Sequence, residues 1–334
     1  MLGYLGVDVG SVSTNLVVLD EEEKVVAAIY RRTKGQPIIA VQDGLKELEE
    51  ALPQKVDIRG AGTTGSARSL SGLIVGADVV KNEITAHAVA AKHIVPDVRT
   101  VLEIGGQDSK IIILRDGVVV DFSMNTVCAA GTGSFLDHQS ARLGIPIEEF
   151  GDYAIKSEAG TQIAGRCSVF AESDMVHKQQ IGHSTENIVY GLCQALVRNY
   201  LNNLAKGREI FEPVVFQGGV AANIGMKRAF EEALKTEVTI PLHFNVMGAI
   251  GVAILAKKEA QKKDSTDFKG FDSSEIDYET SNFSCEGCAN TCEIVKITVN
   301  GDDIARWGSR CGKWDIDDPG KKKQLQIQEP IHTT

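Results

Sequence analysis

Apolar and polar positions alternate along the first third of the chain with a strand period. "YLGVDVG" and "NLVVLD" are apolar runs separated by the polar turn "SVST", and "KVVAAIYRRT" follows an acidic turn, Glu21 to Glu23. Three strands are expected there. The spacing then shifts to a helical one over "IIAVQDGLKELEEAL", with Pro37 in its first turn. "DIRGAGTTGSAR" reads as a strand entering a Gly/Thr turn, and "NEITAHAVAAKHIV" as a helix with Asn82 as its N-cap.

The pattern then recurs. "VDVGSVSTNLVVLD" (7–20) and "LEIGGQDSKIIILR" (102–115) superpose without a gap at an offset of 95 residues. In both, an acidic residue ends an apolar strand, a small polar turn follows, and a β-branched strand leaves. "DGVVVDFSMN" supplies the next strand, with Asp116-Gly117 as the hairpin turn. Further helices are expected at 132–143, 184–206 and 223–236, and after Cys167. "EPVVFQGGVAANIGM" is a strand, a Gly-Gly turn and a helix start; "VMGAIGVAILAKKEA" closes the globular part as a helix.

The architecture expected is α/β. One half spans 1–95 with 242–260, a second spans 96–241, a polar linker covers 261–280, and a Cys-rich module with a hairpin at Asn300-Gly301 covers 281–334.

Composition narrows the class. The 334 residues are 43% hydrophobic and 24% charged, with a net charge of −10, which argues against nucleic acid or an anionic membrane as partner. No apolar run has the length of a membrane span, and no signal peptide is legible. A cytoplasmic protein is expected, whose seven cysteines point to metal or redox roles before disulfides.

Small-residue turns after strands let backbone N–H groups approach phosphate closely. "DVGSVST" offers Ser11, Ser13 and Thr14, with Asp8 as a water-mediated Mg²⁺ ligand. "EIGGQDSK" repeats the arrangement, with Gln107 and Asp108 as candidate catalytic residues that orient a water. "QGGVAAN" offers Gln217, Gly218 and Gly219 to a base or ribose. The candidate ATP and Mg²⁺ set adds Gly10, Val12, Asn15, Glu103, Gly105, Gly106, Ser109, Lys110 and Asn245.

The order of these turns resembles the actin/hexokinase/Hsp70 ATPase superfamily, whose folds have two ribonuclease-H-like halves around a nucleotide cleft. "VCAAGTGSFLD", "RCSVFAESD", "GTTGSAR", "NEITAHA" and "EIGGQDSK", in that set, look like the activator component of 2-hydroxyacyl-CoA dehydratases, a family that includes benzoyl-CoA reductase ATPase subunits. The resemblance covers about 3–257 and looks closest to activase modules of longer, multi-part members. Relatives often carry Lys where Asn15 stands and Asp where Glu103 stands.

Cys128 and Cys167 each precede a run that reads as a helix. Iron–sulfur cubanes want four thiolates, and a two-fold dimer would present two pairs. The resemblance implies the same: a homodimer bridged by one 4Fe-4S cluster. It also implies an ATP-driven electron activator, reduced by ferredoxin or flavodoxin, that docks on an iron–sulfur dehydratase or a double-cubane-type reductase. The alternatives are a small-molecule kinase on the same fold and a regulatory ATP-binding module. Cys193, at helical spacing among apolar residues, reads as core. Cys285, Cys288, Cys292 and Cys311 could enclose a second metal, zinc or another cubane. His87 belongs either near the cleft or in the packing.

Overall fold

The computed structural model describes residues 1–299 and 301–314. Asn300 of the expected tail turn, and residues 315–334 of the expected Cys-rich module, lie outside the described residues.

The chain forms two units, one running from Met1 to Gly270 and one beginning at Phe271. In the first, β1 (Leu2–Val9), β2 (Ser13–Leu19), β3 (Val25–Arg32), β4 (Asp57–Thr64) and β5 (Val79–Val80) make a five-stranded sheet of order β3-β2-β1-β4-β5. Helices α1 (Pro37–Ala51), α2 (Arg68–Val75) and α3 (Glu83–Ile94) connect and follow them. A second sheet contains β6 (Thr100–Ile104), β7 (Ser109–Arg115), β8 (Val118–Asn125), β9 (Val214–Gln217) and β10 (Val238–Thr239), in order β10-β9-β6-β7-β8. Read from the other edge this is the same order. The duplication seen as a hairpin in the sequence is therefore a duplicated sheet.

The register carries it to single residues. Asp8 pairs with Asn15 across β1 and β2, and Glu103 pairs with Lys110 across β6 and β7. Each turn is closed by the same backbone bond, Gly10 N–H to Ser13 O at 2.9 Å and Gly105 N–H to Asp108 O at 3.0 Å. The Asp116-Gly117 turn has both residues at positive φ, 53° and 71°, as a tight hairpin of this twist requires.

Between β8 and β9 lie α4 (Gly133–Leu143), α5 (Phe150–Ile155), α6 (Ser168–Gln180) and α7 (Thr185–Leu204); α8 (Ile224–Leu234) follows β9. Helix α7 buries Ile188, Val189, Leu192, Cys193, Leu196, Val197 and Tyr200, so Cys193 is core as its spacing predicts. Its burial pushes the Cys193 thiol up to about 12, out of reach of thiolate chemistry at neutral pH.

Helix α9 (Met247–Ala260) is apolar nearly all round because it lies between the first sheet and α3. The approach requires glycine: a Cβ on Gly6 would sit 1.9 Å from Ala249 O, and one on Gly251 1.8 Å from Ala86 O. Asn82 caps α3, its side chain accepting from Thr85 N–H at 2.9 Å.

Residues 261–270, read as linker from their polarity, are part of the first unit. Thr266 Oγ1 (2.6 Å) and Asp267 N–H (2.9 Å) both donate to the carboxylate of Asp78, which also accepts from Ala61 N–H. Lys269 N–H donates to Val75 O at 3.0 Å. The strap runs so close to Gly76 that a Cβ there would meet Asp267 O at 2.1 Å.

The second unit holds β11 (Tyr278–Ser284), β12 (Glu293–Val299) and β13 (Asp302–Trp307), an antiparallel sheet in sequence order. Tyr278, Ile294, Ile297 and Ala305 form its small core. No helix among the described residues is long and apolar enough to cross a membrane.

Candidate functional site

The two duplicated turns face each other across a cleft. From the first sheet come Asp8, Gly10, Ser11, Val12, Ser13 and Asn15; from the second, Glu103, Gly105, Gly106, Gln107, Asp108 and Lys110; from the loops beyond, Gly218, Gly219 and Asn245. Val12 reaches across to Gly106, its methyls 2.8 Å from where a Cβ there would stand. Gly218 adopts φ +90°, and a Cβ on it would meet Ile104 O at 2.4 Å.

Three expected members do not line the cleft. Thr14 and Ser109 are fully buried, and Gln217 lies behind the wall. The reason is the strand period. Thr14 and Ser109 precede Asn15 and Lys110, and neighbouring side chains on a strand point to opposite faces. Thr14 instead shares a hydrogen bond with Thr33, Oγ1 to Oγ1 at 2.9 Å. Gln217 Nε2 donates to His87 Nδ1 at 2.8 Å, which leaves the ring proton on Nε2. Burial, seconded by the charge of Lys110, drives His87 down to about 3, so the imidazole is neutral. His87 does line the cleft.

Lys110 is the electrostatic centre. Its Nζ lies 2.8 Å from Asp108, 2.9 Å from Glu103 and 3.2 Å from Glu83. Burial works against the ammonium, but the three carboxylates outweigh it and hold Lys110 well above the usual lysine range. One ammonium cannot balance so many acids. Burial first, then Glu83 and Asp108 against the opposing Lys110, pushes Asp8 up to about 7. Burial pushes Glu103 up to about 8, with Lys110 opposing and Asp108 adding. Asp8 is wedged between two glycines: Cβ atoms on Gly65 and Gly248 would stand 2.5 and 2.1 Å from its carboxylate oxygens.

Sequence reasoning missed Glu83, which reaches the cleft from α3, ahead of the second sheet's first strand at Thr100. It also left Lys110 among equals. The duplication held the signal, because Lys110 is the counterpart of Asn15 at the same offset.

The cluster-cysteine candidates lie on loops that begin helices. Cys128 is the N-cap of a 3₁₀ turn (Ala129–Gly131) before α4, and Cys167 is the N-cap of α6. Both are partly exposed. Asn125 secures the first loop, its Oδ1 accepting from Cys128 N–H at 3.0 Å and its Nδ2 donating to Cys128 O at 2.8 Å. Val127 is 94% exposed beside Cys128, and Phe170 is 68% exposed three residues after Cys167. The start of α4 hangs on the cleft. Gly133 N–H donates to Gly105 O (2.9 Å), and Ser134 gives both its N–H (2.8 Å) and its Oγ (2.6 Å) to Gly106 O.

The second cysteine group does not form the ligand set expected. Among the described residues no three His, Cys, Asp or Glu side chains are arranged to hold a metal ion. Cys285 is turned toward the tail's own packing, its Sγ accepting from Trp314 Nε1 at 3.2 Å, while Cys288 and Cys311 lie on the surface. The Gly287 N–H and then Trp314 hold the Cys285 thiol below its usual range.

Two like sheets bring their small-residue turns together on one charged cleft. The chain belongs to the BadF/BadG/BcrA/BcrD ATPase family, whose pattern matches residues 5–256. It is 36% identical over 265 residues to the (R)-2-hydroxyglutaryl-CoA dehydratase activating ATPase of Acidaminococcus fermentans, covering 77% of this chain and 98% of that one. It is also 36% identical to the activator of lactoyl-CoA dehydratase of Anaerotignum propionicum, over 78% of this chain and 99% of that one. Among solved structures it is similar to the activator of the 2-hydroxyisocaproyl-CoA dehydratase from Clostridium difficile with bound ADPNP. That match has a TM-score of 0.72 and 31% identity, over 78% of this chain and 96% of that one.

Proposed function

We propose that this chain is an ATP-driven activator that delivers low-potential electrons, as a homodimer, to an iron–sulfur dehydratase or reductase. The observation that carries the reading is the attachment of α4 to the Gly105-Gly106 turn, with Cys128 at the head of the same segment.

ATP with Mg²⁺ suits the cleft. The carboxylates exceed the single ammonium, so the site lacks positive charge. Asn15 Oδ1 is buried without a hydrogen-bond partner among the described residues. Asp8, Glu103 and Asp108 would face the metal, and Ser11, Ser13 and the Gly105-Gly106 backbone the phosphates. Bound Mg·ATP would supply the phosphoanhydride whose hydrolysis makes the cycle irreversible. Gln107, exposed at the tip of its turn, would orient a water. Lys110 holds Asp108 and Glu103 in position. Gly218 and Gly219 leave flat backbone against which a base can lie.

Cys128 and Cys167 suit half of a 4Fe-4S site. They are partly exposed thiols on helix-capping loops, beside apolar side chains that a second copy would cover. A bound cluster would carry one electron; ferredoxin or flavodoxin fits as the donor. The chain's own residues hold the thiols, and the turn beneath α4 reports nucleotide state to them.

The test is anaerobic purification followed by iron analysis, EPR and ATP-dependent reduction of a partner dehydratase. Two irons per chain and reduction that stops in Asp108→Asn are expected. Iron-free, colourless protein that phosphorylates a small molecule would overturn the reading.

A further inference from the structure

We infer that Asn199 is a positioning residue that braces the two cysteine loops against one helix, fixing Cys128 relative to Cys167 before any metal arrives. The functional meaning rests on reading these thiols as cluster ligands; the brace itself does not.

Asn199 lies on α7 and is 5% exposed. Its Nδ2 donates to Gly165 O at 2.7 Å, two residues before Cys167. Its Oδ1 lies 2.7 Å from where a Cβ on Gly131 would stand, three residues after Cys128. That oxygen also accepts from Asn203 Nδ2 at 3.0 Å, which fixes the orientation of the amide. One short side chain therefore bonds the loop of Cys167 and closely approaches that of Cys128, each within three residues of its cysteine. Neighbouring bonds hold the outer course of the second loop: Arg198 Nη2 donates to Ile163 O at 2.6 Å, and Asp174 accepts from Ala164 N–H at 2.9 Å. Asn199 reaches Gly165 and Gly131 together. The lack of a side chain at Gly131 is what lets the amide approach the first loop.

The physical consequence is preorganisation. Two thiols held on rigid loops lose little further freedom on meeting a ligand, whereas two drifting loops must be ordered at that moment.

The test uses the full chain in metal-free form. Iodoacetamide labelling of Cys128 and Cys167 is followed by peptide mass spectrometry, with buried Cys193 as internal reference. Asn199→Ala removes both contacts and should speed labelling of both loop cysteines about three- to tenfold, the opening expected from losing one buried hydrogen bond, with Cys193 unchanged. Asn199→Asp keeps an oxygen toward Gly131 but has no donor for Gly165, so it should speed Cys167 alone. Should the alanine variant not fold, the aspartate variant decides. Unchanged rates in both variants, or acceleration of Cys193 together with the others, would overturn the brace. Anaerobic iron reconstitution gives a separate reading, with Asn199→Ala expected to retain less than half the wild-type iron. A wild type that takes up no iron defeats the cluster reading, while the labelling still decides the brace.

Discussion

At the scale of residues, the cleft is a crowd of acids around Lys110. Asp8 and Glu103 hold protons in the folded, ligand-free chain at pH values where they have lost them in the unfolded one. The folded state then binds more protons than the unfolded state, so stability falls as pH rises. His87, held neutral down to about 3, opposes this fall below about pH 6.5, so the fall should be steepest between about pH 6.5 and about pH 8 and then level off. Urea unfolding of nucleotide-free protein should show it as a loss on the order of a few kcal/mol. Glu103→Gln or Asp8→Asn should flatten the profile and be relatively stabilising at high pH. A wild-type profile that rises across this window would contradict the charge count.

Elements show how signals would leave the cleft. Helix α4 begins on the carbonyls of Gly105 and Gly106, so movement of that turn reaches the segment behind Cys128 through two residues. Ser134→Ala should leave nucleotide affinity within about twofold, since Ser134 does not line the cleft and its hydroxyl bonds one carbonyl that keeps its N–H partner. It should diminish the nucleotide-dependent change in hydrogen exchange at α4. An exchange difference as large as in wild type would show that the hydroxyl carries none of the coupling. Most elements were legible, because long segments with one dominant period announce themselves: α1, α3, α7, α9 and the hairpin at Asp116-Gly117 stand within a few residues of expectation. Helix α2 was not, since eight residues after a glycine turn carry too little periodicity. The strap at 261–270 was read as linker because its polarity is local, whereas its reason is Asp78, 188 residues from Thr266. Site residues divided along the same line. The turns were visible as turns; Glu83, Asn199 and Ser134 matter through partners that only the fold brings near.

At the scale of the whole molecule, the unit boundary at Gly270 makes a pair of truncations informative. A chain ending at residue 270 should keep the stability of the body. One ending at residue 260 strips Asp78, whose side chain is 1% exposed, of Thr266, Asp267 and Lys263, and should lose about 2–4 kcal/mol in a thermal or urea melt. Equal melts for both would mean that the strap is ornamental. On the proposed function, Cys128→Ser should remove two of the four thiolates of the proposed shared cubane and shift the protein toward monomer by sedimentation, with nucleotide binding retained. A variant that stays dimeric with full iron would place the cluster elsewhere.

The duplicated hairpins have one further effect. At equivalent positions the first carries Asn15 and the second Lys110. Two identical jaws would grip a ligand equally well in either sense. These do not: one presents a neutral amide, the other a buried cation among acids. The clamp therefore has a front and a back, and a ligand that carries charge at one end meets unlike walls on the two sides.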